Sequence, residues 1–116
     1  MAAQTDERGI ALTSAMYHIL LSLLKEERHG YAIMQAIETL SDGAMRLGPG
    51  TLYTSIRKLL EAGMIEESGE RPEEDDERRR YYRLTSAGQE AVRVETRRLA
   101  QLVRFANRHH AHAVAL

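Results

Sequence analysis

The stretch Gly48-Pro49-Gly50-Thr51-Leu52-Tyr53-Thr54-Ser55-Ile56-Arg57-Lys58-Leu59-Leu60-Glu61-Ala62-Gly63-Met64-Ile65 decides the fold. Its opening residues make a turn, the proline suits a helix's first turn, and Thr51 offers a cap. Leu52, Ile56, Leu59 and Leu60 then recur at helical spacing and Gly63 supplies a left-handed stop, so the pattern predicts a short helix. Its other face carries Thr51, Thr54, Ser55, Arg57 and Lys58, with Tyr53 beside them. Hydroxyls, two cations and a helix N-terminus on one surface have the chemistry to meet phosphate and base edges. The plainer alternative is Thr51 as a cap, Tyr53 as packing and two cations in solvent.

Upstream, Leu12, Ala15, Met16, Ile19, Leu20, Leu23 and Leu24 fall on one helical stripe, with Thr13 or Ser14 to cap it and Lys25-Glu26-Glu27-Arg28 to end it. After Gly30 a second period follows through Ala32, Ile33, Ala36, Ile37 and Leu40, closed by Ser41-Asp42-Gly43. Gly30 reads as a glycine starting that helix and Tyr31 as an aromatic filling the gap between the first two helices. Downstream, Met64–Glu67 and Arg79–Thr85 are too short for helices, and Tyr82 and Leu84 alternate with Tyr81 and Arg83, which predicts a β-hairpin. Its connection, Ser68 to Arg78, is rich in Gly, Pro and carboxylates and should be mobile at its tip. Arg78, Arg79, Arg80 and Arg83 form the densest basic cluster, of which alternation lets only some face one way. Thr85 is a natural N-cap for a long last helix, in which Val92, Leu99, Leu102, Val103 and Ala106 make a narrow apolar seam flanked by Arg93, Glu95, Arg97 and Arg98. The tail beyond Asn107 continues no stripe and is expected to fray.

Helix, helix, short basic helix, hairpin, long helix is the element order of a winged helix-turn-helix. The expected fold is therefore mainly α with a small β-hairpin, divided into a DNA-binding unit over 1–86, a dimerisation helix over 87–108 and a frayed tail over 109–116. Four spaced motifs add to this: His29-Gly30-Tyr31, Gly50-Thr51-Leu52-Tyr53, Leu59-Leu60-Glu61-Ala62-Gly63-Met64-Ile65, and Arg79-Arg80-Tyr81-Tyr82-Arg83-Leu84-Thr85-Ser86-Ala87-Gly88. Together, from about Leu12 to about Leu102, the chain resembles the PadR family of bacterial transcriptional regulators, and its single last helix is similar to that of the small PadR subfamily. It departs from the family pattern in Thr54, where proline is frequent, and in the acidic tip of the wing.

The resemblance implies a sequence-specific DNA-binding repressor. Its recognition surface would be Thr51, Tyr53, Thr54, Ser55, Arg57 and Lys58, with Arg79, Arg80 and Arg83 contributed by the wing. It implies a homodimer built on Val92, Leu99, Leu102, Val103 and Ala106, an inverted-repeat operator in double-stranded DNA, and release by a small aromatic or hydrophobic effector near the dimer interface. A 116-residue chain has little material to cover such a seam, which also favours an oligomer. The alternative kept beside it is a winged helix used as a protein-interaction module without specific DNA binding.

Composition excludes several other classes. With no cysteine there is no disulfide framework, thiolate zinc site or cysteine nucleophile. No apolar run approaches the roughly 20 residues of a membrane span, and Met1–Ile10 has neither a basic leader nor an apolar stretch, so a cytoplasmic protein is expected. No carboxylate pair in apolar context, supported Ser-His-Asp set or phosphate-binding glycine loop points to an enzyme, and no cofactor is expected. Glu73–Glu77 lacks the glycine and spaced ligands of a calcium loop, His109, His110 and His112 lack a supporting shell for a metal, and His18 stands alone. Net charge is −1, so any affinity for nucleic acid must come from how the charges are distributed.

Overall fold

Three apolar stripes meet in one core. In the computed structural model, which describes residues 12–72 and 78–113, the order is α1 (Ser14–Ser22), β1 (Arg28–His29), α2 (Gly30–Leu40), α3 (Pro49–Glu61), β2 (Ile65–Pro72), β3 (Arg78–Leu84) and α4 (Ser86–Ala113). Met16, Ile19 and Leu20 of α1, Ile33 and Ile37 of α2, and Leu52, Ile56 and Leu59 of α3 are buried together, with Met64, Ile65 and Tyr82 closing the side toward the sheet. Among the described residues the result is a winged-helix domain of four helices and a three-stranded antiparallel sheet in the order β1-β3-β2.

The helix ends follow local chemistry. Thr13 Oγ1 accepts from the Met16 N–H at 3.1 Å, and His29 Nδ1 accepts from the Ala32 N–H at 3.1 Å, so a histidine caps α2. The turn after α2 places Asp42 and Gly43 at φ 53° and 82°, and Gly63 ends α3 at φ 74°, as its stop position requires. Thr51 is not the cap of α3: the helix starts at Pro49, Gly48 is the N-cap without a side-chain bond, and Thr51 lies inside the first turn. Pro49 suits the first helical position because its missing N–H is one of the donors a helix start leaves unpaired.

The sheet departs from the expected hairpin in two ways. Arg28, expected in the cluster that ends the first helix, instead forms with His29 a strand that pairs with Tyr82 and Tyr81 of β3; two residues are too few to show a period. Ser68–Pro72, expected in a loop, continues β2 through an irregularity between Glu67 and Gly69, with Gly69 at φ 114°. The acidic run Glu73–Glu77 lies outside the described residues, as does Met1–Ile10.

α4 is locked to the domain at its start. Thr85 Oγ1 accepts from the Gly88 N–H at 3.1 Å and donates to the Gly63 carbonyl at 2.5 Å, tying the end of α3 to the start of α4. A Cβ at Gly88 would strike the Met64 carbonyl, so the helix can cross this backbone only as glycine. Tyr17 Oη and Thr96 Oγ1 lie 2.6 Å apart, joining α1 to α4. The helix does not end near residue 108 but runs to Ala113, 28 residues or about 42 Å at 1.5 Å per residue.

Removing the Thr85 hydroxyl should cost about 1–2 kcal/mol in urea unfolding of Thr85→Ala, because two partners lose their bond. Gly88→Ala should cost more, since backbone must move. Tyr82 gives a pH test: burial, then the Glu67 carboxylate and Tyr53, push its phenol above the ordinary value of 10.0, against the lowering effect of Arg80. The folded state thus favours the neutral ring; this stability is complete below the unfolded value and is lost as pH rises through the raised one. Unfolding at pH 8 to 11 should show a shallower alkaline decline for Tyr82→Phe than for the parent protein.

Candidate nucleic-acid interface

Because Leu52, Ile56 and Leu59 are pinned in the core, the opposite face of α3 can only look outward: Thr51, Tyr53, Thr54, Arg57 and Lys58 are all exposed. Ser55 is the correction. It is 7% exposed, three residues after Leu52 and four before Leu59, and so belongs to the inward stripe of the helix.

The wing arginines have different surroundings. The Arg79 guanidinium lies 5.8 Å from the centre of the Tyr31 ring, a cation–π arrangement. Arg80 Nη1 is 3.7 Å from Glu67 Oε2. Arg83 donates from Nε to Glu66 Oε2 at 2.7 Å and has Nη1 3.9 Å from Glu27 Oε2. Ser68 Oγ donates to Glu27 Oε1 at 3.2 Å, so one carboxylate before β1 holds both strands of the wing. Arg83, grouped in sequence with the DNA-contacting residues, is here a strut between β3, β2 and the segment before β1. Such exposed pairs are individually weak and are broken by salt.

Between α2, α3 and the wing lies an open cleft of about 370 Å³, lined by His29, Gly30, Tyr31, Tyr53, Arg79, Arg80 and Tyr82. Gly30 leaves room for it: a Cβ there would meet the Tyr53 hydroxyl, and the tyrosine would have to move aside. Tyr31 does not fill the gap between the first two helices. It is 53% exposed at the cleft mouth, and the period through Ile33 and Ile37, which turns it to the opposite side of α2, already carried that signal. His29 packs edge-on against Tyr81, ring centres 5.2 Å apart.

The seam of α4 divides in two. Val92 is 7% exposed and, with Ala91, completes the domain's own core, so it is not free to face a second copy. Glu95, expected in solvent, is equally buried and ion-paired with Arg98 at 2.6 Å; it stands three residues after Val92 and four after Ala91, on the inward face. Leu99 is half-buried, whereas Leu102, Val103 and Phe105 are each more than half exposed and Ala106 is exposed. Phe105 was missed because the seam pattern skips it; it packs on His109 at 4.4 Å between ring centres.

Among the described residues no group of three or more His, Cys, Asp or Glu could hold a metal ion, and no helix is long and apolar enough to cross a membrane.

Residues 19–94 match the transcriptional regulator PadR-like family. The chain is 36% identical over 87 residues to the transcriptional regulator Rv3488 of Mycobacterium tuberculosis, covering 75% of this chain and 77% of that protein. It is 38% identical over 84 residues, 72% of its own length, to an uncharacterized 37.1 kDa protein in transposon TN4556 of Streptomyces fradiae, of which it spans only 22%. The fold is similar to that of Bacillus subtilis PadR in complex with operator DNA, with TM-score 0.62, 22% identity, and coverage of 71% of this chain and 46% of PadR. With the winged-helix architecture and the motifs of α2, α3 and the wing in place, the chain belongs to the PadR-like family of transcriptional regulators, which are not enzymes.

Proposed function

We propose that this protein is a homodimeric, cytoplasmic repressor that reads an inverted-repeat operator with α3 in the major groove and its wing against the backbone. The observation that carries the reading is the outer face of α3: Arg57 and Lys58 project from a helix whose other side is sealed in the core, and Arg79 and Arg80 stand across the cleft from its first turn. This is the arrangement that base reading flanked by phosphate contacts requires. Thr51, Tyr53 and Thr54 complete the surface, with Arg83 orienting the wing. The complex of Bacillus subtilis PadR with operator DNA supports the same use of the fold here.

In this proposal two copies pair through the outer half of α4. Leu102 and Val103 are 53% and 57% exposed, and covering them with a second seam removes apolar surface that one chain leaves in water. Leu99 and Ala106 extend the seam on either side, while Val92 stays in its own core. A small aromatic or hydrophobic effector bound between the two helices would change the separation of the recognition helices and release the operator.

Footprinting on genomic DNA should protect two inverted half-sites with centres about one helical turn, roughly 34 Å, apart or a multiple of it. Replacing Arg57 and Lys58 with Ala should cost about 1–3 kcal/mol chiefly on the cognate site, whereas replacing Arg79 and Arg80 should weaken cognate and random duplexes alike and lower the salt slope. Absence of binding to any duplex at low salt would leave the protein-interaction reading.

Leu102→Glu combined with Val103→Glu should convert the dimer to a monomer in light scattering with little change in the domain's unfolding midpoint, because neither side chain belongs to the core. A stable dimer of that variant would place the interface elsewhere.

A further inference from the structure

We propose that the cleft between Tyr31, Tyr53 and Arg79 seats one backbone phosphate of the bound duplex, so that the start of α2 joins α3 and the wing in holding DNA. The proposal rests on the DNA-binding reading above and adds to it a contact through Tyr31.

Position argues first. The cleft separates Tyr53, near the start of α3, from β3 of the wing, the two elements proposed to meet the duplex. A surface lying between a helix in the major groove and a hairpin on its flank meets the sugar–phosphate strand that bounds the groove. Base edges lie farther along α3, where Arg57 follows Tyr53 by one turn.

Chemistry argues second. The cleft has three tyrosines, a histidine and two arginines among its seven lining residues and no carboxylate, Glu67 reaching Arg80, at 3.7 Å, from outside the lining. Tyr31 and Tyr53 are 53% and 49% exposed, placing two phenols of ordinary hydrogen-bonding capacity at the mouth of the cleft. The Arg79 guanidinium, over the Tyr31 ring at 5.8 Å, is restricted before any ligand arrives, so less side-chain freedom remains to be lost on binding phosphate. Gly30 matters for the same reason: without a side chain there, Tyr53 can lean over the first turn of α2 and hold its hydroxyl at this mouth.

A phosphate seat differs from a packing role in how its parts depend on one another. With the full-length protein and a random-sequence duplex titrated over several salt concentrations, Arg79→Gln should lower the slope of log affinity against log salt by about one. Tyr31→Phe, which keeps the ring and removes only the hydroxyl, should weaken binding about two- to tenfold at unchanged slope and unchanged thermal midpoint. Because both residues serve the same phosphate, the double variant should lose less than the product of the two single losses, whereas Tyr31→Phe with Lys58→Gln should lose the full product. If Tyr31→Phe binds the duplex as tightly as the parent, or if its loss multiplies fully with that of Arg79→Gln, the cleft does not seat a phosphate and the wider DNA-binding reading still stands. If the parent protein binds no duplex at low salt, both fall together.

Discussion

The burial of Leu52, Ile56 and Leu59 against α1 and α2 is the constraint on which the rest of this structure depends. A helix of thirteen residues is marginal in isolation, so α3 persists because one of its faces is sealed against Met16, Ile19, Ile33 and Ile37. Sealing that face fixes the helix in rotation as well as in place. Arg57 and Lys58 are outward because their neighbours cannot be, and Ser55 is inward for the same reason. A surface used to read a rigid duplex needs this loss of freedom, since side chains on a helix that rotates would meet the groove in no constant register.

Around that helix, the start of α2 is where the local interactions converge. His29 ends a strand, caps a helix through Nδ1 and packs on Tyr81. Gly30 admits Tyr53, and Tyr31 supports Arg79. The wing is then held by carboxylates of its own side: Glu66 and Glu27 on Arg83, and Glu67 near Arg80. Internal pairing of this kind reconciles a net charge of −1 with a basic reading face. The cations stand on the surface proposed for the duplex, and the neighbouring carboxylates hold Arg80 and Arg83 in place there.

α4 does two jobs along one length. Its first turns are bound into the domain by Thr85, Gly88, Ala91, Val92 and the Tyr17–Thr96 hydrogen bond. Beyond Leu99 the same helix leaves the domain and carries apolar residues into solvent. In the proposed dimer, a helix anchored at one end would carry a change of pairing at its free end back to α3.

Much of this was legible in the sequence. The stripes of α1, α2 and α3, the capping roles of Thr13 and Thr85, the stop at Gly63 and the outward cations of α3 all depend on interactions within four residues along the chain, and hydrophobic period and capping chemistry report such interactions directly. The inward turn of Ser55 and Glu95 and the exposure of Tyr31 follow the same helical spacing, read too narrowly along each stripe, whereas the third strand and the cleft beneath Tyr31 depend on residues far apart in sequence. β1 exists because Arg28 and His29 pair with Tyr82 and Tyr81, and Gly30 leaves the space into which Tyr53, twenty-three positions later, places its hydroxyl. The sequence by itself determined which helices and turns form and which face of each avoids water; only the tertiary structure decided which strand pairs with which and which side chains from separate elements would share one cleft, because close approach belongs to pairs of elements and to no single segment.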